Sequence, residues 1–330
     1  MDFSLNNISS DESVNEKNVK VLILGSGPAG LSAALYASRA NLEPLLLTGM
    51  ELGGQVSLTN TIENYPGFPE GVGGQELTEL FQKQAEKFGA RIEYDTATEV
   101  DLSGRPFIVK TYNNVYHAET LIITTGAQAN HLNVPGEKEL TGRGVSYCAT
   151  CDGWFFKDKD VVVVGGGDSA LEESLFLTRY SKSINIIHRR DSLRAGVILQ
   201  QRAFDHPKIK FTWDTVVTEI VGEEKVTKVK LLNQKTKEQS ELATDGVFIF
   251  IGHSPNTQIF TNYLDLDERG YIKTDNRLLT NVPGVYVAGE AGDPYFRQVI
   301  TSAGMGAAAA IQAVKFLQEN EENQPAPIKS

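Results

Sequence analysis

The chain has 330 residues, 41% of them hydrophobic and 22% charged, with a formal net charge of −11 and a pI near 5.1. This length suits about two domains, and the acidic balance argues against nucleic-acid binding, which needs a basic face. No window approaches the roughly 18 uninterrupted apolar residues of a transmembrane helix, so a membrane protein is not expected.

The N-terminus and the cysteines bear on where the protein works. Residues 1–18 carry four acidic side chains and no apolar run, so they resemble neither a signal peptide nor an acid-poor transit peptide. We predict that these 18 residues form a disordered tail. The only two cysteines, Cys148 and Cys151, are not spread as a disulfide framework would be, which indicates a reducing compartment, the cytoplasm.

Two segments after the tail share one order of elements. Residues 19–24 form an apolar run that enters a glycine loop at 25–30, followed by a helical pattern and a strand at 44–48. Residues 160–164 enter a second glycine loop at 165–170, again followed by a helix and by a strand at 183–188. Each segment predicts a βαβ unit.

Weaker patterns fill the rest of the chain. Residues 75–88 are amphipathic, and strands are expected around Ile92, Phe107 and Tyr116. Further predicted elements are three apolar runs that each end at a glycine turn (121–125, 246–251 and 284–288), a small-residue helix (301–317) and a frayed polar end (319–330).

The first glycine loop has the pattern GxGxxG at Gly25, Gly27 and Gly30, between a strand and a helix. Glycines there permit a tight turn and a close approach of the backbone to a pyrophosphate at the helix N-terminus. The context favours a dinucleotide site over a plain strand-to-helix turn. The acidic residue expected near the end of the next strand is not evident, since only Glu51 stands just beyond it.

The second glycine loop has the pattern GxGxxA at Gly165, Gly167 and Ala170. No carboxylate stands at the end of its second strand, where guanidinium groups can hold a ribose 2′-phosphate, so NADPH is expected rather than NADH. A solvated basic turn is the alternative. The residues of this basic end are His188, Arg189, Arg190 and Arg194.

The Cys148-x-x-Cys151 pair can be a redox dithiol or half of a zinc site. A closed zinc site needs four ligands, but the chain has no second CxxC and its five histidines are remote in sequence, so redox use is favoured and no metal is expected. Asp152 could exchange the proton that a thiolate needs on leaving, although an aspartate before Gly153 also suits a simple turn.

Over residues 20–317 the chain resembles the low-molecular-weight thioredoxin reductases, a flavoprotein family. The resemblance rests on ordered motifs, namely GSGPAG (25–30), GGQ (53–55), ENYPGFP (63–69), TTG (124–126), CATCDG (148–153), GGGDSALEE (165–173), HRRDSLRA (188–195), GHSPNT (252–257) and RQVITSAGMG (297–306).

The resemblance implies an α/β fold with two Rossmann-like, three-layer dinucleotide-binding domains, the second inserted in the first. The FAD domain would comprise residues 19–128 and 253–330, and the NADPH domain residues 129–252 with the cysteine pair. The hinge would lie near residues 128–134 and 248–253.

The resemblance also assigns cofactor contacts. Those implied for FAD are Gly25, Ser26, Gly27, Pro28, Ala29, Gly30, Gly54, Gln55, Asn64, Thr125, Gly126, Gly289, Glu290, Arg297, Gln298 and Val299. Those implied for NADPH are Gly165, Gly167, Asp168 and Ser169, together with the basic end His188, Arg189, Arg190 and Arg194.

By the same resemblance, electrons would pass from NADPH to FAD, then to the cysteine disulfide and then to thioredoxin. Cys151 would face the flavin, Cys148 would attack the protein substrate, and Asp152 would be the acid or base. The inserted domain would rotate between two poses, and the protein would be a homodimer.

One position departs from the family pattern. Glu290 stands where the family has an aspartate that contacts the flavin ribityl chain, and its side chain is one methylene longer. A glutamate can still accept hydrogen bonds from hydroxyl groups, so we expect FAD binding to be retained with altered affinity.

Three alternatives stay open from the residues. The chain could be the flavoprotein partner of a peroxidase, although 18 polar residues are too few for the N-terminal dithiol module of such proteins. It could take electrons from ferredoxin or flavin, although such relatives lose the second glycine loop or its arginines. It could instead be a redox sensor that changes partners without turnover.

Overall fold

The computed structural model describes residues 15–59 and 61–322. The first part of the chain forms β1 (Asn15–Leu24), α1 (Pro28–Arg39), β2 (Leu45–Leu47), α2 (Gly74–Lys87), β3 (Arg91–Glu93), β4 (Glu99–Asp101), β5 (Phe107–Lys110) and β6 (Asn114–Ile123). The middle part forms β7 (Ala127–Ala129), β8 (Val145–Ser146), α3 (Ala149–Asp152), β9 (Asp160–Gly165), α4 (Asp168–Leu177), β10 (Ser183–Ile187), α5 (Val197–Phe204), β11 (Ile209–Thr212), β12 (Thr215–Gly222), β13 (Val226–Asn233), β14 (Gln239–Ala243), β15 (Gly246–Phe250) and β16 (His253–Pro255). The last part forms β17 (Val285–Val287) and α6 (Val299–Glu322).

The chain divides into two compact units. Unit 1 comprises residues 15–58, 74–126 and 255–322, and unit 2 comprises residues 59–73 and 127–254. The chain therefore leaves unit 1 after Gly126 rather than after residue 128, and it returns at Pro255 rather than at residue 253. Residues 59–73, which the resemblance assigns to the FAD domain, lie in unit 2.

Unit 1 is built on a sheet whose parallel core has the order β3-β2-β1-β6. The end of β6 also pairs with β17 in parallel, while its beginning pairs with the antiparallel hairpin of β4 and β5. Successive side chains of a strand point to opposite faces. Val21 and Ile23 accordingly join the core beneath α1 and α6, and Leu22 and Leu24 join the core on the other face.

Helix α6 packs closely on α1 within unit 1. A Cβ atom at Gly306 would overlap the carbonyl oxygen of Ala29, so a glycine is needed where the helices meet. α6 has 24 residues, and an 18-residue window within it has a mean hydropathy of 1.3, so it is the one helix in the described part of the chain that could cross a bilayer by length and composition. Its small residues are used for packing against α1 instead, as in a core helix.

Unit 2 has a parallel sheet of order β11-β10-β9-β15-β8 between two different layers. Val161 and Val163 pack under α4 and α5, whereas Val162 and Val164 pack against the antiparallel sheet of β12, β13 and β14. This helix, sheet and sheet layering agrees with the expected α/β class and Rossmann-like architecture, which is confirmed.

Both glycine loops leave their sheet at a point where the strand order reverses. β1 lies between β2 and β6, and β9 lies between β10 and β15. The connections from such a pair of strands run to opposite sides, which opens a crevice at the carboxyl ends of the strands. The topology therefore places each glycine loop at the usual ligand site of an open α/β sheet.

The predictions for the chain ends were partly wrong. β1 already begins at Asn15, which pairs with Asn114, so residues 15–18 belong to the sheet rather than to a tail. α6 continues to Glu322, and Glu321 lies 3.6 Å from Lys20, which connects the last turn of the helix to β1. Polar sequence was misleading here because backbone pairing and ion pairs stabilise these ends. Residues 1–14 and 323–330 lie outside the described residues.

Candidate active site

The first glycine loop has two kinds of glycine. Gly25 has φ +108°, and a Cβ there would overlap the carbonyl oxygen of Thr124. A Cβ at Gly30 would in turn overlap the carbonyl oxygen of Gly25. These two glycines are required by the turn itself. At Gly27, in contrast, no atom lies within 4 Å of the Cβ position.

The protein itself does not require a glycine at position 27, so we infer that Gly27 leaves room for a bound ligand. It is the N-cap of α1, no side chain caps the helix there, and the first turn carries no acidic residue. Unpaired amide groups and the positive end of the helix dipole favour an anion at such a terminus. Pro28, whose missing N–H costs nothing at this position, and Ala29 complete the first turn. The loop fits the pyrophosphate of a dinucleotide.

Ser26 connects the loop to the turn after β2. Its buried Oγ lies 2.9 Å from the Thr48 carbonyl and 3.1 Å from the Glu51 carbonyl, and it accepts a hydrogen bond from the Gly53 amide. This brings Gly54 beside Gly27, with 3.3 Å between the Gly54 Cβ position and the Gly27 Cα. Gln55 follows in the 3-10 turn Gly54–Leu58. The Ser26 side chain is thus used within the protein, and its backbone is what remains for a cofactor.

Asn256 holds the predicted Thr125–Gly126 turn. The backbone amide of Asn256 donates to the Gly126 carbonyl at 2.9 Å, and its side-chain Nδ2 donates to the Thr125 carbonyl at 2.9 Å. In return, Thr125 Oγ1 donates to the backbone carbonyl of Asn256 at 2.7 Å. This role was not predicted from the sequence, because Asn256 and Thr125 are 131 positions apart. The signal that could have indicated it is the GHSPNT motif, in which Asn256 had no predicted role. Gly289 lies beside α1, with its Cβ position 3.1 Å from Ala29 Cβ.

Two carboxyl groups follow Gly289, the partly buried Glu290 and the buried Asp293. Burial raises the pKa of Glu290 from 4.5 to about 7, against the opposing effect of the Arg297 guanidinium. Asp293 accepts hydrogen bonds from the amides of Tyr295 and Phe296 through Oδ1, while its buried Oδ2 has no hydrogen-bond partner among the described residues. Arg297 donates from Nε and Nη2 to the Pro294 carbonyl at 3.0 and 2.7 Å.

These groups suit a polyhydroxylated ligand. Buried polar atoms are normally paired, so the Asp293 Oδ2 atom points to a donor that the chain itself does not supply. Gln298 and Val299 follow at the start of α6. The residues present around the first glycine loop therefore fit FAD. Asn64, also predicted as a contact, lies in unit 2, so the structure does not group it with the first loop.

The second glycine loop repeats the distinction between turn glycines and an open glycine. A Cβ at Gly165 would overlap the Phe250 carbonyl oxygen, whereas nothing lies within 4 Å of the Cβ position of Gly167, the uncapped N-cap of α4. Asp168 and Ser169 form the first turn, and the Asp168 carboxylate accepts a hydrogen bond from the Gly196 amide at 2.7 Å. The loop again presents a cradle that fits a pyrophosphate.

The basic end of β10 folds back onto this loop. The Arg194 amide donates to the Gly166 carbonyl at 2.8 Å, which together with the Asp168–Gly196 bond fixes the segment. Arg189, Arg190 and Arg194 are exposed. Within the described residues, 15–59 and 61–322, none of the three forms an ion pair. Three cations beside the cradle fit the 2′-phosphate of NADPH.

His188 is placed differently from the three arginines. It is 7% exposed, and its ring occupies the space that a side chain at Gly166 would need. Burial lowers the pKa of His188, so the ring is neutral near pH 7. His188 supports the glycine loop from beneath instead of adding a charge to the basic cluster.

Cys148 and Cys151 form a disulfide, with 5.3 Å between their Cα atoms. Cys148 is the N-cap of α3, and its amide donates to Ser146 Oγ at 3.1 Å. Ser146 Oγ in turn donates to Asp152 Oδ2 at 2.6 Å. Burial raises the pKa of Asp152, and the Ser146 hydrogen bond opposes this in part. A partly buried carboxyl group with a raised pKa next to a disulfide suits proton exchange.

Ser146 is a second residue that the sequence analysis missed. It lies two residues before Cys148 and six before Asp152, and no motif argument singled it out. Within residues 15–59 and 61–322, no group of three or more His, Cys, Asp or Glu side chains is arranged to hold a metal ion. The cysteines are bonded to each other, so neither is available as a zinc ligand in this state.

Comparisons with known proteins agree with the geometry of these sites. Residues 19–309 match the family model described as pyridine nucleotide-disulphide oxidoreductase. The chain is 48% identical to the thioredoxin reductase of Streptomyces coelicolor over 314 residues, which are 94% of this chain and 98% of that relative. It is 52% identical to the thioredoxin reductase of Rickettsia felis over 305 residues, 91% of this chain and 98% of that relative.

A solved structure shows a similar fold. The crystal structure of thioredoxin reductase from Streptococcus pyogenes has 43% sequence identity and a TM-score of 0.88, over 92% of this chain and 99% of that chain. Both the glycine loops and the cysteine pair fall within the matched family region.

Proposed function

The chain belongs to the thioredoxin reductase group of the pyridine nucleotide-disulphide oxidoreductase family, and we propose that it reduces thioredoxin disulfide with electrons from NADPH. The observation that carries this function is the Cys148–Cys151 disulfide beside the partly buried acid Asp152, in the same unit as a glycine loop bordered by arginines. When bound, FAD takes two electrons from NADPH and gives them to this disulfide. NADPH, a proton and thioredoxin disulfide thereby become NADP⁺ and reduced thioredoxin.

The cysteines have separate roles in the exchange with the acceptor. The Cys148 thiolate attacks the acceptor disulfide, forming a mixed disulfide and releasing one acceptor sulfur as a thiolate. Cys151 then attacks Cys148 Sγ, which re-forms the internal disulfide and releases the second acceptor sulfur. Asp152 is the group that exchanges a proton with a sulfur in these steps, since burial raises its pKa and it lies beside the disulfide.

Each unit would hold one cofactor. Unit 1 contains the first glycine loop and the Glu290–Asp293 carboxyl groups, which suit FAD, and unit 2 contains the second loop and the arginines, which suit NADPH. By these bounds the chain crosses between the units four times. Two crossings border residues 59–73, and the other two, at Gly126–Ala127 and at Ser254–Pro255, lie in or next to the paired strands β7 and β16. Two adjacent crossings can act as one hinge, so a rotation of unit 2 between half-reactions is part of the proposal.

Trp154 and Phe155 suit the docking of a protein acceptor. They stand three and four residues after Cys151 and are 57% and 42% exposed. Large exposed aromatic side chains are favoured at protein interfaces. The homodimer and the cytoplasmic location also belong to the proposal, since a reducing compartment is where a working dithiol is expected.

Stopped-flow absorbance with stoichiometric NADPH tests the function. We expect NADPH to bleach the flavin of both the wild type and Cys148→Ser, since Cys148 is not needed for flavin reduction. Only the wild type should then turn over with added thioredoxin. NADH in a parallel run tests the donor, because the arginines should make it a poor substitute.

Two outcomes would contradict the proposal. Flavin reduction without any turnover in the wild type would exclude thioredoxin as the acceptor and would favour a sensor. Full turnover by Cys148→Ser would exclude the dithiol route.

A further inference from the structure

Most hydrogen bonds around the cysteine pair come from its own segment. The Cys148 amide bonds to Ser146, the Cys151 amide to Cys148 Sγ, and the Asp152 amide to the Cys148 carbonyl. The amide of Ala149 differs, because it donates to Glu173 Oε2 at 3.1 Å. Glu173 lies on α4, 24 residues further along the chain.

The Ala149 amide needs an acceptor, but not a charged one. Ala149 is fully buried, and a buried amide without a partner is costly. A glutamine oxygen at this position could accept the same hydrogen bond. Compared with a neutral acceptor, a glutamate adds one negative charge. This charge lies at the amide of Ala149, the residue after Cys148.

A negative charge beside a thiol opposes its ionisation. It raises the thiol pKa, which keeps more of the reduced pair protonated near neutral pH. A pair whose thiols are less ionised is a stronger reductant, because reduction potentials rise when the thiolate is stabilised. The Glu173 charge therefore acts in the direction that a donor of electrons to thioredoxin needs.

Helix α4 gives this charge a fixed position. It starts at the second glycine loop, is fastened there by the Asp168–Gly196 hydrogen bond, and has Leu171, Ser174 and Leu177 buried in the core of unit 2. Glu173 is therefore carried by a rigid element rather than by a loop.

We propose that Glu173 is a positioning residue of the redox pair, which holds the Ala149 amide and, through its charge, raises the pKa of the reduced Cys148 thiol. This inference rests on the dithiol chemistry proposed above and adds a residue to it. In this role Glu173 acts through the Cys148–Ala149 peptide, whose amide donates to its carboxylate.

The test is the pH dependence of alkylation of Cys148 by iodoacetamide in a Cys151→Ser background. Glu173→Gln keeps an oxygen acceptor and removes only the charge. We expect it to lower the Cys148 pKa by about one unit, which means about tenfold more thiolate below the pKa. Glu173→Asp, which keeps the charge, should keep the pKa above that of Glu173→Gln.

Glu172→Gln is the matched control. Glu172 is the exposed neighbour on the same helix and carries the same charge, but no hydrogen bond joins it to Ala149 in the described part of the chain. It should leave the Cys148 pKa nearly unchanged. An unchanged pKa in Glu173→Gln, or an equal fall in both variants, would overturn the proposal.

A second measurement uses both cysteines. The internal disulfide of Glu173→Gln, equilibrated with a glutathione buffer at a pH above the Cys148 pKa of both proteins, should be more easily reduced by about tenfold in its equilibrium constant, or about 30 mV. An unchanged equilibrium in a variant with a lowered pKa would overturn the effect on reducing strength. Both readouts need no thioredoxin, so they distinguish failure of this inference from failure of the proposed function.

Discussion

The two glycine loops share one backbone solution but differ in the side chains that complete them. Both place an open glycine, Gly27 or Gly167, at the N-cap of a helix after a central strand. The second residue of each loop differs, since Ser26 fastens the turn after β2 whereas Gly166 makes room for the His188 ring. The strand–turn–helix frame thus suits a pyrophosphate in both units, and the residues next to it select the nucleotide.

The charges near the two loops differ as well. The first loop has the carboxyl groups of the partly buried Glu290 and the buried Asp293 after Gly289, and the second has three exposed arginines. Buried carboxyl groups accept hydrogen bonds from hydroxyl groups, while exposed guanidinium groups bind a phosphate. A repeated fold therefore acquires different specificity from the residues that border each copy.

The largest difference in stability between the two loops is expected at the third small residue of each pattern, Gly30 in the first loop and Ala170 in the second. Gly30→Ala places a Cβ onto the Gly25 carbonyl oxygen, so we expect a loss of at least about 3 kcal/mol in the free energy of unfolding, with release of FAD. Ala170→Gly at the matching position of the second loop should cost only about 1 kcal/mol. Urea unfolding and the flavin absorbance of the purified proteins measure both. A Gly30→Ala protein that keeps its flavin and its stability would break the comparison.

Glu290, near the first loop, should make the free energy of unfolding fall as the pH rises. The arginines of the second loop should not have this effect. The folded state raises the Glu290 pKa from 4.5 to about 7, so it binds more protons than the unfolded chain in this range. The contribution of Glu290 to stability therefore falls as the pH rises through this window and is constant above it. In flavin-free protein, Glu290→Gln should gain at most about 3 kcal/mol over the wild type between pH 4.5 and pH 8.

Arg190→Gln is the control for this pH effect. Its guanidinium group stays charged throughout the window, so its stability difference from the wild type should be the same at pH 5 and pH 8. Denaturant unfolding at the two pH values gives both differences. A Glu290→Gln difference that does not change with pH would show that the carboxyl group ionises normally.

The arginines should control the choice of nucleotide. Replacing Arg189 and Arg190 together by alanine should raise the KM for NADPH about 100-fold, because two charge-assisted contacts with the 2′-phosphate are lost. The KM for NADH should change little. Lys182→Ala removes an exposed cation before the other end of β10, where it pairs with Asp160, and should leave both values unchanged. Equal losses for NADPH and NADH would show that the arginines do not read the phosphate.

Much of the fold and part of the site were predictable because their signals are local. The strand runs, the glycine spacings and the small-residue helix follow from short-range patterning, and the structure has elements at each of those places. The polar ends were mispredicted because Asn15–Asn18 is stabilised by pairing with residues about 100 positions away. Propensity cannot reveal such pairing.

The sequence alone determined the α/β class, the two cradles, the CxxC pair and the arginines that follow the second cradle, since each is a residue type at a fixed spacing. The tertiary structure decided how those residues are supported. Asn256 holds Thr125, Glu173 holds the Ala149 amide, Ser146 bonds to Asp152, and His188 fills the space under Gly166. It also decided that Glu290 is partly buried and that His188 is neutral. Burial and long-range contacts set protonation and orientation, and neither is written in the spacing of residues along the chain.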